Sequence, residues 1–268
     1  MNLRLDWKIF LGPLSLLIIS YIIYFFRYPL WQSINTIEWI SLMLILSYSI
    51  ILVASLILVK IDLKKSFSSV FRITNYKTIL ASLGFAVLFQ IIYYPVNVIL
   101  GSNVELISFP TLRGFENYAF FSLVTAFISY LVFSVFGAFT EEVAYRGYVQ
   151  DRISSRFGFL VGIFTSALLF SFQHIHVFQF NWLGRFFQAQ FIYVMMFGIF
   201  VGYLYLKSKS QIWNVIAFHS LMNILNISIP IQISNSSYFL SAVATVTSFV
   251  ILILLLNRFI KQYQIIGS

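Results

Sequence analysis

FSLVTAFISYLVFSVFGAFTEEVAYRG, residues 121–147, is the stretch whose reading decides the fold. From Phe121 to Phe139 it carries no charge, and then Glu141, Glu142 and Arg146 follow within one short segment. An ionisable side chain at the centre of a bilayer costs roughly 2.5–3.5 kcal/mol on insertion scales. Three together in an apolar span mark a functional site, and the rest of the chain has to supply their partners.

The surrounding sequence supports a membrane setting. The 268 residues are 60% hydrophobic and 9% charged, with a mean hydropathy of +0.91. Soluble chains average about 25% charged residues. Each crossing of a bilayer takes about 20 apolar residues, and eight such runs are expected: Ile9–Phe26, Ile37–Val59, Thr78–Leu100, Tyr118–Arg146 or beyond, Phe159–His176, Phe186–Leu206, Ile212–Ile227 and Tyr238–Leu256. The expected fold is all-α: one polytopic integral membrane domain over 1–268, with the motifs in 118–226 and three N-terminal helices in 1–117 that carry no assigned role. Gly101–Asn117 and Ile227–Ser237 read as the longest non-helical stretches. The first run has a basic start (Arg4, Lys8) and no small-residue cleavage site, so it reads as a retained helix rather than a signal peptide. The absence of cysteine excludes disulfides, cysteine metal sites and a cysteine nucleophile.

The net charge of +9 does not point to nucleic acid, because the basic residues sit in short loops between apolar runs. Fourteen of the 17 Lys and Arg residues fall on one side of the expected topology, leaving only Arg27, Arg113 and Arg185 on the other. The positive-inside rule then places both termini in the cytoplasm. High Ile, Phe, Lys and Asn content hints at an AT-rich bacterial genome, hence a bacterial plasma membrane.

Among the eight acids, Asp6, Glu38, Asp62, Glu105, Glu116 and Asp151 fall in loops or at span edges, where a solvated charge is the simplest reading. Glu142 and Arg146 stand four apart, on one helical face, and are expected to pair. Glu141 points about 100° away and stays free, as a general base requires. Two further i, i+4 pairs follow: Phe170 with His174, the ring beneath fixing the imidazole, and His219 with Asn223. Glu, two His and an Asn from three helices suit activation of a water and stabilisation of charge. At 1.5 Å per residue Glu141 lies about 16 Å from Arg152 and His219 about 15 Å from Lys209. His174 matches that depth only if its helix begins late, near Gly162, after a lead-in turn over Arg156 to Val161. His176 is expected to play no catalytic part, Tyr145 could touch the site, and Trp182 and Trp213 read as interfacial anchors.

Glu141-Glu142-Val143-Ala144-Tyr145-Arg146, Phe170-Ser171-Phe172-Gln173-His174 and His219-Ser220-Leu221-Met222-Asn223, in this order, resemble the CAAX protease and bacteriocin-processing family, also called Abi proteins, over about Phe139 to Asn226. The resemblance implies a glutamate-dependent intramembrane endopeptidase with a helical core and a cavity open to the cytosol. It implies that Glu141 and His174 activate water, that His219 and Asn223 stabilise the oxyanion, and that Glu142 and Arg146 brace the site. The implied partner is a membrane-associated peptide or lipid-anchored protein tail, in bacteriocin immunity or peptide maturation if the source is bacterial. Two chemistries stay open: Glu141, His174 and His219 could supply three ligands to a zinc ion, or Glu and His could hold the water without metal, there being no H-E-x-x-H helix. Two other functions use the same composition. A proton-coupled transporter would show an inverted repeat, and none is visible; a non-catalytic immunity or scaffold protein would keep its function without Glu141.

Overall fold

The computed structural model describes residues 7–33, 37–101, 103–106, 130–174, 191–228, 231–234 and 238–266. A 3₁₀ turn, Trp7–Phe10, leads into α1 (Leu11–Ser33); α2 is Ile37–Ile61, α3 the single turn Phe67–Val70, and α4 Tyr76–Ile99. The next helix, α5, is built from four stretches that run on without a break: Val132–Gly137 and Val143–Gln150 in wide π-type turns, Ala138–Glu142 and Asp151–Phe157 in regular α turns. Then come α6 (Phe159–Gln173), α7 (Phe191–Lys207), α8 (Ile212–Ser228) and α9 (Tyr238–Ile266). The all-α expectation holds, with one addition. Strands β1 (Asn103–Leu106) and β2 (Ile231–Ser234) pair antiparallel, Asn103 opposite Ser234 and Leu106 opposite Ile231. The two stretches expected to be non-helical are thus tied to each other. His176, Trp182, Arg113, Glu116 and Arg185 lie outside the described residues.

Four helices are long and apolar enough to cross a bilayer, over Trp7–Phe26, Ser41–Ile61, Tyr76–Ile99 and Phe239–Lys261. They form the outside of the bundle. Leu14, Ile18 and Ile22 on α1, Leu46, Ile50 and Ile57 on α2, and Val246, Val250 and Leu254 on α9 all stand exposed at helical spacing. The expected spans from Phe159 and Phe186 are realised as shorter apolar helices of 15 and 17 residues. Helix α7 lies inside, with Phe197, Phe200, Val201 and Leu204 buried. One face of α6, with Leu160, Val161, Phe164 and Leu168, is exposed, and the other is packed into the core.

The turns are set by local chemistry. Asn75 caps α4 by accepting the Lys77 N–H at 2.9 Å. Gly158 separates α5 from α6 with φ +87°, a conformation open to glycine. Because that one residue completes the reversal, α6 starts at Phe159, not near Gly162 after a lead-in turn. The depth argument is corrected with it. Helix α5 runs on to Phe157, so Glu141, seventeen residues before Gly158, and His174, sixteen after, lie level across the hairpin. Side chains confirm the register: a Cβ on Gly162 would fall 1.9 Å from the Ser154 hydroxyl, and Ser166 Oγ donates to the Tyr145 carbonyl at 2.7 Å.

The loops at one end of the bundle hold one another. Lys65 pairs with Asp151 at 2.5 Å and Arg152 with Asp62 at 2.9 Å. The Gln211 amide accepts from the backbone N–H of Thr74 at 2.8 Å and of Asn75 at 2.9 Å. The basic loops after α2, α5 and α7 therefore share one end, as the charge partition requires. Asp62 and Asp151, read as solvated, are instead ion-pair partners there.

Candidate active site

The segment of α5 that carries the glutamates is a regular turn between two wide ones. Wide i→i+5 turns are uncommon and recur at functional sites. Here they bring eleven consecutive residues, Thr140 to Gln150, into the interior: Glu142 and Arg146 are fully buried, and Glu141 is 6% exposed. Arg146 Nη1 donates to Glu142 Oε1 at 3.1 Å, the pairing expected from their spacing. Its Nη2 donates to the carbonyl of Gly198 on α7 at 3.1 Å. Gly198 makes this possible by close approach, since a Cβ there would sit 2.9 Å from that of Ala167 and 3.5 Å from Nη2.

His219, from α8, joins the two carboxylates. Its Nδ1 lies 2.7 Å from Glu142 Oε1 and its Nε2 3.8 Å from Glu141 Oε2. Glu142 Oε1 is thus shared by a guanidinium and an imidazole. A carboxylate accepts only, so Nδ1 must carry the proton, and the tautomer is fixed with Nε2 facing Glu141. If Nε2 is also protonated, two carboxylates face two cations and the cluster is neutral, the condition under which charges are retained in an apolar interior.

Phe170 packs against this network from below. Arg146 Cζ stands 4.8 Å over its ring centroid, a cation–π contact. Tyr145, His174 and His219 surround it at 5.2, 4.6 and 6.0 Å, all edge-on. The stacking expected beneath His174 is therefore a T-shaped contact. The His174 ring is also held by its Nδ1 at 2.8 Å from the Phe170 carbonyl. It is half-buried at the end of α6. Asn223, one turn beyond His219, reaches the Ser134 carbonyl with its amide at 3.5 Å.

One polar residue at the site was not singled out from the sequence. Gln173 is fully buried, and its Nε2 lies 3.5 Å from Glu141 Oε1. The oxygen of the same amide has no hydrogen-bond partner. The signal was present: a glutamine in an apolar helix, adjacent to a motif histidine. It could be used only with the α5–α6 register, which brings Gln173 opposite Glu141. The Tyr145 hydroxyl is likewise buried without a partner.

The three side chains offered as zinc ligands do not form a set. Among the described residues no group of three or more His, Asp or Glu side chains is placed to hold a metal ion.

Residues 123–225 match the family described as Type II CAAX prenyl endopeptidase Rce1-like. The core of this chain is CAAX-protease-like. All three motifs and all the buried polar contacts just described fall inside that segment. A curated relative, CAAX prenyl protease 2 of Methanococcus maripaludis, is 33% identical over 116 residues, 39% of this chain and 42% of that protein. The chain thus matches less than half the length of this relative.

Proposed function

We propose that the protein is an intramembrane endopeptidase that uses Glu141 as its base and acts on a membrane-associated peptide or lipid-anchored protein tail. The observation that carries this reading is the unequal treatment of two adjacent glutamates. Glu142 is committed to Arg146 and His219 at 3.1 and 2.7 Å. Glu141 has only longer contacts, 3.5 Å to Gln173 and 3.8 Å to His219. One carboxylate braces the site, and the other keeps lone pairs free for a reactant.

In the proposed reaction Glu141 and His174 activate a water, and Glu141 accepts its proton. The resulting hydroxide attacks the peptide carbonyl carbon, and the C=O electron pair moves onto oxygen. His219 Nε2–H and the Asn223 amide are the donors to that oxyanion. When the tetrahedral intermediate collapses, the C–N bond breaks and the proton held by Glu141 passes to the leaving amine. The substrate enters from the membrane or the cytosol, both chain termini lie in the cytoplasm, and the compartment is a plasma membrane, bacterial by composition. Bacteriocin immunity or peptide maturation is the setting; nucleic acid has no part in it. The domain reading that goes with this puts the catalytic core in 118–226 and leaves 1–117 as its membrane shell.

The test compares wild type with Glu141→Gln and Glu141→Ala, purified in detergent, on a peptide library read by mass spectrometry, with and without a chelator. The expected outcome is wild-type cleavage reduced by about 10²–10⁴-fold in both variants, at unchanged thermal stability. If neither wild type nor variants cleave, and the variants still protect cells in an immunity assay, the protein is a binder and the mechanism fails.

A further inference from the structure

A shallow crevice with a cavity volume of about 40 Å³, open on one side, lies between α4, α7, α8 and α9, away from the glutamates. Its walls are apolar, with Phe85, Leu204, Leu256 and Phe259, and its mouth has Lys207, with the hydroxyls of Thr78, Ser82 and Ser208 beside it. Leu80 and Leu254, on the two helices that flank it, are 60% and 58% exposed, so it faces the lipid side of the bundle. Its polar end is the end that carries the basic loops.

The charge around this mouth is one-sided. The sequence has no Asp or Glu from Phe67 to Gly101 or from Phe191 to Ser268, which includes all of α4, α7, α8 and α9. The same helices and their turns carry Lys77, Lys207, Lys209, Arg258 and Lys261, all exposed. None of these five takes part in an ion pair among the described residues. The Lys207 ammonium instead lies 5.2 Å from the Tyr203 ring. The Ser82 and Ser208 hydroxyls donate to the carbonyls of Thr78 and Tyr205 at 2.9 and 3.0 Å, leaving their oxygens as acceptors.

We propose that this crevice binds an anionic glycerophospholipid of the surrounding bilayer, with its phosphate on Lys207 and one acyl chain against the apolar walls. Basic pockets between transmembrane helices select anionic head groups. A polyol head group suits the site further, because its hydroxyls donate to the serine oxygens. The crevice shares α7 and α8 with the site but none of its lining residues are site residues, so the inference does not depend on the peptidase reading.

The test uses the full chain in detergent and native mass spectrometry, titrated with phosphatidylglycerol, phosphatidylcholine and inorganic phosphate. Phosphatidylglycerol is expected to bind at least about fivefold more tightly than phosphatidylcholine. Lys207→Gln should weaken phosphatidylglycerol by about fivefold and leave phosphatidylcholine unchanged. Arg156→Gln, at a basic residue in the last turn of α5 and outside the crevice, should change neither. Ala81→Phe, which fills the crevice, should reduce both lipids at an unchanged melting temperature. If it unfolds the protein, the Lys207 and Arg156 arms still decide. Equal binding of the two lipids, an equal loss in Arg156→Gln, or displacement of phosphatidylglycerol by inorganic phosphate would each overturn the proposal.

Discussion

The outer helices α1, α2, α4 and α9 and the inner set α5 to α8 solve opposite problems with nearly the same alphabet. The outer four are long, continuous and apolar, and much of their surface is left exposed: Ile18, Ile50, Ile91 and Val250 are 44–61% accessible. Bilayer hydrocarbon is as apolar as these side chains, so such surface carries no penalty. Among the inner helices α5 is opened by wide turns and α6, α7 and α8 are short, and they bury Glu142, Arg146, Gln150, Gln173 and His219. The outer helices can therefore be recognised by composition alone. The inner ones depend on specific pairings, and their sequence tolerates little.

That difference is broken most sharply at Glu142. Glu142→Ala removes the carboxylate shared by Arg146 and His219 and leaves a buried guanidinium without its counter-ion and the His219 Nδ1–H without an acceptor. A loss of about 3–5 kcal/mol is expected, read as a large drop in melting temperature or in folded protein recovered from membranes. A double variant that also replaces Arg146 with Met should recover part of it. No recovery would show that the ion pair does not set the stability of this region.

The close contact of α6 with α7 comes next. Gly198→Ala would place a methyl 2.9 Å from the Cβ of Ala167 and push α7 away from Arg146. Overpacking of this kind costs about 1–3 kcal/mol. Gly84, on α4, has nothing near its missing side chain, and Gly84→Ala should be neutral or slightly stabilising, since alanine is the better helix former by about 1 kcal/mol. Thermal denaturation of the two variants in one detergent makes the comparison.

Much of the fold was legible because hydropathy and loop charge are properties of neighbouring residues. Eight helical segments were expected near the positions where the structure has them, and the Glu142–Arg146 pair followed from spacing alone. What was not legible depends on distant residues meeting. Nothing local says that residues 103–106 pair with 231–234. The equal depth of Glu141 and His174 was reached only by assuming a late helix start near Gly162, because depth was counted from Arg152 and Arg156, while the turn that matters is Gly158. His219 was expected to serve the oxyanion or a metal; its Nδ1 also ties Glu142 to α8. Gln173 escaped because a single glutamine has no pattern, and only the antiparallel register makes it a neighbour of Glu141.

Gln173 gives a smaller and more discriminating effect. Gln173→Leu removes a long, charge-assisted contact and the unpartnered amide oxygen together, so its stability change should be about 1 kcal/mol or less. Cleavage should fall through kcat with KM little changed, and Gln173→Glu should shift the pH profile by placing a second titratable carboxyl beside Glu141. A uniform fall in folded protein, with kcat per folded molecule unchanged, would make Gln173 structural only.

The smallest effect is expected on the outer surface. Ile50 on α2 is 53% exposed, and it faces lipid. In water, Ile→Ala at a buried site costs about 2–5 kcal/mol, mostly from transfer and cavity terms. Both terms are absent where the side chain already contacts hydrocarbon and lipid can fill the space, so Ile50→Ala should lie within about 0.5 kcal/mol of wild type. Ile51, the next residue on the same helix, is 2% exposed and packed in the core, and Ile51→Ala should fall in the larger range. Similar losses at both positions would mean that α2 buries its outer face against a further helix or a second copy, and the division between shell and core drawn here would have to move outward.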